Sequence, residues 1–509
     1  MTNKTYSVSR FRRAILQFVA GRITQGVGRA ILILVLVRLL HVADYGAYML
    51  LVGLSEMMMQ LCSFGILPVG QRYLPQMITT LSSKKLYRFV TTLVILQMGI
   101  LCLATVGLWH FWPTITPWMG LSVEQAASAK PALLLFFFVP AFGFISDMQE
   151  SLLEQGRAQI ARSLMPIGRV TVIGVLIVMG MTINLQNVII LDVCVTAFCL
   201  ILSWYLLHKS LESLRNPDAD GQIPVRDMLK FAWHMAVVDL NGASSSRGAI
   251  RLALANAIGV YESGLYAFLQ SLRRLIDRYM PGVLLRGIIR PLMLSRAFTP
   301  GGMAVVEAGT GFLMKVNLLI VTCGCVVIAV GGDDLVMKLS GNKFPHAGFT
   351  LLLMFMTLAV TSQRSIIDMV MQITGHTSTL RATSLLGPVA LVAVWFFADH
   401  GLNVAVLILA GIGAISNWIA MSVLIRSTGG FHVDWRGLAA TLVPAALVVG
   451  VGILLRPVMD QVAAAAFALI LFVLLLWLAK PFNSQEHGLV ERAVGSRIAS
   501  FVRAFSSLR

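Results

Sequence analysis

The fold of this chain is decided by segments such as residues 186–207, which read QNVIILDVCVTAFCLILSWYLL. A run of about 20 mostly apolar residues is long enough for an α-helix to cross about 30 Å of hydrocarbon. Such runs recur along all 509 residues, of which 57% are hydrophobic and only 12% are charged. A backbone in lipid must satisfy its own hydrogen-bonding groups, so the runs are predicted to be membrane-spanning helices.

The hydropathy pattern predicts an all-α polytopic membrane protein with about fourteen transmembrane helices. The first and seventh spans are longer than the bilayer requires, so they are expected to tilt or bend. The predicted spans cover residues 14–40, 44–67, 87–109, 131–154, 164–182, 186–207, 229–256, 262–285, 310–331, 346–371, 383–398, 401–424, 437–455 and 462–480.

Basic residues are concentrated in alternate loops. The chain has 40 Lys and Arg against 23 Asp and Glu, a net charge of +17. The arginine-rich loops follow the even-numbered spans, so the positive-inside rule predicts that both termini are cytoplasmic. The same charge favours contact with anionic membrane lipids, and no soluble basic domain is present to bind nucleic acid.

Two similar motifs indicate an internal repeat. Asp44-Tyr45-Gly46-Ala47-Tyr48 is matched 218 residues later by Glu262-Ser263-Gly264-Leu265-Tyr266. Because six spans separate them, the pattern predicts two six-helix repeats that enter the membrane in the same direction. We expect an N-lobe at residues 1–215, a C-lobe at 216–430 and two further helices with a tail at 431–509. A cavity between two such lobes can open alternately to each side, which is typical of transporters.

The segment from Val37 to Tyr48 resembles the start of the oligosaccharide flippases of the multidrug/oligosaccharidyl-lipid/polysaccharide exporter superfamily. Their first helix typically ends in Arg-x-Leu-Gly-x-x-x-Tyr/Phe-Gly-x-Tyr, and His41 replaces the first of these glycines here. The stretch from Phe64 to Pro75, which contains Arg72, extends the similarity.

This resemblance implies an activity and a location. The expected activity is flipping of undecaprenyl-diphosphate-linked oligosaccharide to the periplasmic leaflet of the bacterial inner membrane, for O-antigen or exopolysaccharide synthesis. The expected coupling ion is H+ or Na+. A polymerase and a chain-length regulator of the same pathway are expected partners.

Ionisable residues inside spans are candidates for function, because each costs about 2.5–3.5 kcal/mol at the centre of the bilayer. Arginine offers a planar fork of donors that suits phosphate oxygens. The predicted cationic cavity for a diphosphate head is formed by Arg22, Arg247, Arg251, Arg273 and Arg274.

Helix geometry leads to two further expectations for these residues. On one continuous seventh helix, Asp239, Arg247 and Arg251 would share a face. On the eighth span, Arg273 and Asp277 are spaced to form an ion pair.

Three acidic residues, Glu56, Asp239 and Asp277, are candidates for coupling or gating. The 218-residue offset places Glu56 opposite Arg274, a pair that could break during transport. The alternative is that all these charges only hold helices together. Asp192, Lys315 and Asp368 are single charges within spans for which we predict no role.

The sequence carries no signal for a catalytic or cofactor site. It has no nucleotide-binding glycine loop, and Cys323-Gly324-Cys325 lacks the second ligand pair that a metal site would need. Three alternatives to a flippase remain open: a multidrug cation antiporter of the same fold, a membrane polysaccharide polymerase, and a scaffold subunit without transport. A polymerase usually carries a large periplasmic loop, which we do not find in this sequence. A multidrug antiporter handles cationic drugs, and a cavity rich in arginine argues against such substrates.

Overall fold

The computed structural model describes residues 8–152, 154–213, 223–281, 302–374, 376–427, 431–455, 461–484, 486–487 and 505–506. These residues form an all-α protein, which confirms the predicted fold class. The first twelve helices are α1 (Val8–Leu39), α2 (Val42–Leu61), α3 (Ile66–Thr80), α4 (Ser83–His110), α5 (Trp112–Trp118), α6 (Val123–Ser128), α7 (Ala132–Ser151), α8 (Gln155–Val178), α9 (Leu185–Ser213), α10 (Val225–Ser244), α11 (Arg247–Ile258) and α12 (Val260–Asp277).

The remaining described helices follow residue 301. They are α13 (Gly302–Ser340), α14 (Gly348–Ile373), α15 (Thr377–Ser384), α16 (Leu386–Phe397), α17 (Leu402–Ser427), α18 (Trp435–Leu455) and α19 (Gln461–Ala479). Each of the fourteen predicted spans coincides with one of these helices or with a broken pair. Nine of the described helices are long and apolar enough to cross a membrane by length and composition.

The second predicted span is bent. The helices α2 and α3 meet at an angle of 60° and together pass the same test for a span. In the turn between them, Phe64 and Gly65 have φ angles of 43° and 74°. A Cβ at Gly65 would lie 2.1 Å from the carbonyl oxygen of Ala232 on α10, so this turn needs glycine for both its backbone angle and its packing.

Internal contacts divide the chain into two compact units, Met1–Phe268 and Leu269–Arg509. In the first unit, α1 packs on α8, α7 packs on α2, α4 and α9, and α2 also contacts α10 and α11. In the second unit, α13 packs on α14, α18 and α19, and α14 packs on α17. The lobe boundary expected near residue 215 stays a prediction.

The repeat motifs meet inside the first unit. The helices α2 and α12 begin at Val42 and Val260, which are 218 residues apart. A Cβ added to Gly264 would lie 2.7 Å from the Cα of Gly46, so these equivalent glycines lie in backbone contact. The structure therefore brings the two matching motifs into contact, while the duplication itself stays a prediction.

The seventh predicted span is not one helix, so the expectation that Asp239, Arg247 and Arg251 share one helix face is wrong. It is broken into α10 and α11 at Ser245 and Ser246. The hydroxyl of Ser246 accepts a hydrogen bond of 3.2 Å from the Ala249 N–H and so caps α11. Serine hydroxyls compete for backbone groups in this way, which favours a helix end over a continuous helix.

Candidate substrate and coupling site

Arg251 is enclosed by the protein, with 0% of its surface exposed. Its guanidinium donates a 2.9 Å hydrogen bond to the carbonyl oxygen of Met49 on α2. Two glycines allow this approach, because a Cβ on Gly248 would lie 2.1 Å from the carbonyl oxygen of Gly53. In this conformation, Arg251 joins α11 to α2 and faces no open cavity.

Arg247 is placed differently, although it lies one turn before Arg251 on the same helix. It is the first residue of α11, directly after the serine break, and it is half-buried. Its side chain takes part in an interaction within the molecule and is more exposed than that of Arg251. Arg22 lies within α1, but its side chain is outside the described part of the structure.

The eighth-span residues Arg273, Arg274 and Asp277 belong to the second unit, on the last two turns of α12. Arg273 donates a 2.7 Å hydrogen bond to the hydroxyl of Thr357 on α14. The ion pair expected between Arg273 and Asp277 along this helix stays a prediction. The Nε of Arg273 is buried without a hydrogen-bond partner in the described structure, so it retains a donor.

Asp239 lies on α10 at the bend of the second span. Its carboxylate is beside the Ser63 hydroxyl and the Gly65 amide in the α2–α3 turn. Gln97 of α4 braces the same turn by donating a 2.9 Å hydrogen bond to the Cys62 carbonyl. At this turn, Asp239 Oδ2 and Gln97 Oε1 are buried oxygens that have no hydrogen-bond partner among the described residues. Unpartnered oxygens next to an interrupted membrane helix are the kind of group that binds a proton or a small cation.

Glu56 lies on the same helix as Met49, five residues before its end, and is half-buried. It is engaged in an interaction within the molecule. The predicted pairing of Glu56 with Arg274 joins the two units and stays a prediction.

Sequence reasoning missed a buried ionic triad in the first unit. Asp192 on α9 is 1% exposed and pairs with Arg169 on α8, with 3.0 Å between Nε and Oδ1. The hydroxyl of Tyr48 on α2 donates to its other oxygen at 2.7 Å. Arg169 also donates to Thr196 at 3.1 Å. Asp192 is therefore not a single charge, and the triad ties three helices together.

Asp368 in the second unit also has a partner. Arg364, one turn earlier on α14, pairs with it at 2.6 Å. The same guanidinium donates to Ser416 on α17 and to Thr383 on α15, each at 2.6 Å. The i, i+4 spacing of Arg364 and Asp368 was the sequence signal that could have identified this pair.

Lys315 on α13 is fully buried between two carboxylates that lie far away in sequence. Its ammonium contacts Asp434 at 2.6 Å and Glu486, beyond the last helix, at 2.8 Å. Burial raises the pKa of Glu486, with the charge of Lys315 opposing it. Burial would also raise the pKa of Asp434, but hydrogen bonds from Lys315 and the Gly437 amide hold it below its usual value. This cluster fastens the segment after α19 to α13.

Known proteins share this architecture at low sequence identity. No protein-family model matches the chain, and no curated protein sequence matches it significantly. The lipid II flippase MurJ, in an inward closed conformation, superposes with a TM-score of 0.65 at 12% identity, covering 91% of this chain and 99% of that one.

Two structures of multidrug resistance MATE family transporters of the MOP superfamily also match, each at 13% identity over 81% of this chain. The inward-facing one has a TM-score of 0.57 and is 96% covered, and the outward-facing one has 0.52 and is 93% covered. The chain therefore has the polytopic helical fold found in these transporters.

The ionic triad should matter for stability. We expect Asp192→Leu to lower the free energy of unfolding by about 3–5 kcal/mol, because it leaves the Arg169 charge without its counter-ion. Tyr48→Phe removes one hydrogen bond and should cost about 1–2 kcal/mol. The double variant Arg169→Met with Asp192→Leu should regain most of the loss. Thermal unfolding in detergent measures all three, and a double variant no more stable than Asp192→Leu would contradict the assignment.

Proposed function

We propose that this protein flips undecaprenyl-diphosphate-linked oligosaccharide from the cytoplasmic to the periplasmic leaflet of the bacterial inner membrane, for O-antigen or exopolysaccharide synthesis. The observation that carries the proposal is the match to a lipid flippase over 91% of the chain.

The proposed mechanism assigns different roles to the intramembrane arginines. Arg251 holds α11 against α2, since it is fully buried and bonded to Met49. Arg247, Arg273 and Arg274 are half-buried, and we assign to them the binding of the diphosphate, together with Arg22. A diphosphate needs several partly desolvated donors, while the sugars stay in water and the prenyl chain stays in lipid.

Asp239 is the proposed coupling residue. Its unpartnered oxygen lies at the bend between α2 and α3, so a proton or Na+ bound there would alter the contact of α10 with that bend. An ion that binds the two conformations with different affinity shifts their equilibrium, which is how a gradient drives alternating access. Glu56 and Asp277 remain further coupling candidates.

A multidrug antiporter is the second candidate, because MATE transporters share the fold. The charge of the spans argues for an anionic substrate instead. Arg247, Arg273 and Arg274 lie on α11 and α12, and cationic drugs would be repelled from a cavity lined by them.

The proposed function is tested in a strain that lacks the gene. We expect it to accumulate lipid-linked oligosaccharide facing the cytoplasm and to lose the surface polymer, while its resistance to cationic drugs stays unchanged. The lipid intermediate is measured by extraction and mass spectrometry, with a strain carrying the gene on a plasmid as the control. Normal surface polymer without the intermediate would refute the proposal.

Substitutions of the two arginines of α11 should distinguish a residue that binds substrate from a residue that stabilises the fold. We expect Arg247→Gln to reduce flipping at least tenfold with an unchanged unfolding temperature, because it loses a charge-assisted contact to phosphate worth about 1.5–3 kcal/mol. Arg251→Gln should instead lower the unfolding temperature and the amount of protein in the membrane. The roles are wrong if Arg247→Gln flips at the wild-type rate, or if Arg251→Gln is as stable as the wild type.

Asp239→Asn tests the coupling site. We expect this variant to flip at one low rate whatever ion gradient is imposed, because the amide binds neither a proton nor a cation as the carboxylate does. Asp227→Asn, an exposed change on the first turn of the same helix, is the matched control. Flipping by reconstituted protein is measured with and without a proton or sodium gradient. A gradient response in Asp239→Asn equal to that of the wild type would exclude Asp239.

A further inference from the structure

One end of the first unit gathers exposed cations from three helices. We define this basic face by its residues: Arg72 of α3, Lys84 and Arg88 of α4, and Arg226 and Lys230 of α10, all of them exposed. Among the described residues, none of the five lies within 4 Å of a carboxylate. Five exposed cations without counter-ions on one face create a field that attracts an anion.

Contacts between the helices bring these residues to the same end. Only Leu81 and Ser82 separate the end of α3 from the start of α4, and α3 packs against both α4 and α10. One hydrophobic cluster contains Leu86 of α4 and Met228 of α10 and lies beneath the face. The centre of the face is therefore α3, with α4 and α10 on its two sides.

Arg72 lies deeper than the other four cations. It precedes the end of α3 by eight residues, or roughly two helical turns, whereas Lys84 and Arg226 are each the second residue of their helix. Its guanidinium stacks over the ring of Phe231 at 4.5 Å and lies 5.5 Å from that of Tyr73. The two rings hold the charge in place, so the face has a fixed inner cation and an outer rim of flexible ones.

The rim carries the aromatic and apolar groups of a membrane interface. On α10, Arg226, Lys230 and Trp233 fall within about 60° of one another around the helix, and Trp233 is 72% exposed. On α4, Tyr87 lies between Lys84 and Arg88 and packs its ring against His208 of α9 at 5.7 Å. Exposed Trp and Tyr beside Lys and Arg are typical of positions at the level of lipid headgroups.

Two carboxylates border the face. Glu212, at the end of α9, lies 3.3 Å from His208, and Asp227 occupies the first turn of α10, beside Arg226 in the chain. They leave the five cations in excess, and exposed Leu229 on α10 continues the apolar surface below the rim. An anion attached to an apolar chain fits this arrangement better than a soluble anion does.

We propose that the basic face binds an anionic phospholipid of the phosphatidylglycerol class. Arg72 and the rim cations receive the phosphate diester, and the acyl chains lie along the exposed apolar side of α10. This site is independent of the flippase proposal, since it needs no substrate and lies on the first unit alone.

The test uses the full-length protein, stripped of lipid in a neutral detergent and titrated with dioctanoyl-phosphatidylglycerol under native mass spectrometry. The triple variant Lys84→Gln, Arg88→Gln and Lys230→Gln should weaken this binding by tenfold or more, because each basic side chain near a lipid surface contributes to the attraction. Dioctanoyl-phosphatidylcholine, which has no net charge, should bind weakly to every form.

The matched control removes three exposed cations from the second unit: Arg426→Gln, Arg436→Gln and Lys480→Gln. It should change the affinity for phosphatidylglycerol less than twofold, and both triple variants should unfold at the wild-type temperature in lipid-free detergent. Equal weakening in the two variants would mean that only total charge matters and would overturn the proposal. Tighter binding of farnesyl diphosphate than of phosphatidylglycerol, lost in the first variant alone, would also overturn it by assigning the face to a prenyl diphosphate.

Discussion

The close approach of α2 to α11 and α12 is the contact on which the first unit depends. Lipid is as apolar as a leucine side chain, so helices in a membrane associate through close packing and polar contacts, not through a hydrophobic driving force. Gly53 faces Gly248 and Gly46 faces Gly264, at distances where a Cβ on Gly248 or Gly264 would overlap the opposing backbone. Only because the backbones are this close can Arg251 reach the carbonyl oxygen of Met49.

The buried charges of the described structure fall into two groups, those that are paired across helices and Asp239, which has an unpartnered oxygen. A charge within a span must be paired or face water, and the described structure shows several that are paired across helices. Asp192 binds Arg169 and Tyr48, and Lys315 binds Asp434 and Glu486. These groups have their partners in the resting molecule and hold helices together. Asp239 differs, because one of its buried oxygens has no partner and lies where the second span bends.

Hydropathy was enough to predict the fold class, because a helix in lipid has to be long and apolar, and nine of the described helices meet that test. The repeat predicted from two five-residue motifs stays a prediction, although the structure brings Gly46 and Gly264 together. The seventh span was expected to tilt or bend, but the position of its break at Ser245 and Ser246 was not predicted, since the composition there is still that of a membrane helix. The partners of Asp192, Lys315 and Arg251 were not predictable either, because each comes from a helix whose neighbours are set by packing. The i, i+4 spacing of Arg364 and Asp368, in contrast, is a local sequence signal of their ion pair.

The central claim is that this chain moves a lipid-linked diphosphate saccharide between leaflets by alternating access. It is tested most directly in liposomes that contain the purified protein and a fluorescent undecaprenyl-diphosphate oligosaccharide, whose exposure on the outer leaflet is followed with a membrane-impermeant quencher. The account predicts that the lipid crosses faster than in protein-free liposomes, that an ion gradient speeds the crossing, and that Arg247→Gln slows it. Liposomes in which the lipid stays in its leaflet while a cationic dye is transported would contradict the account.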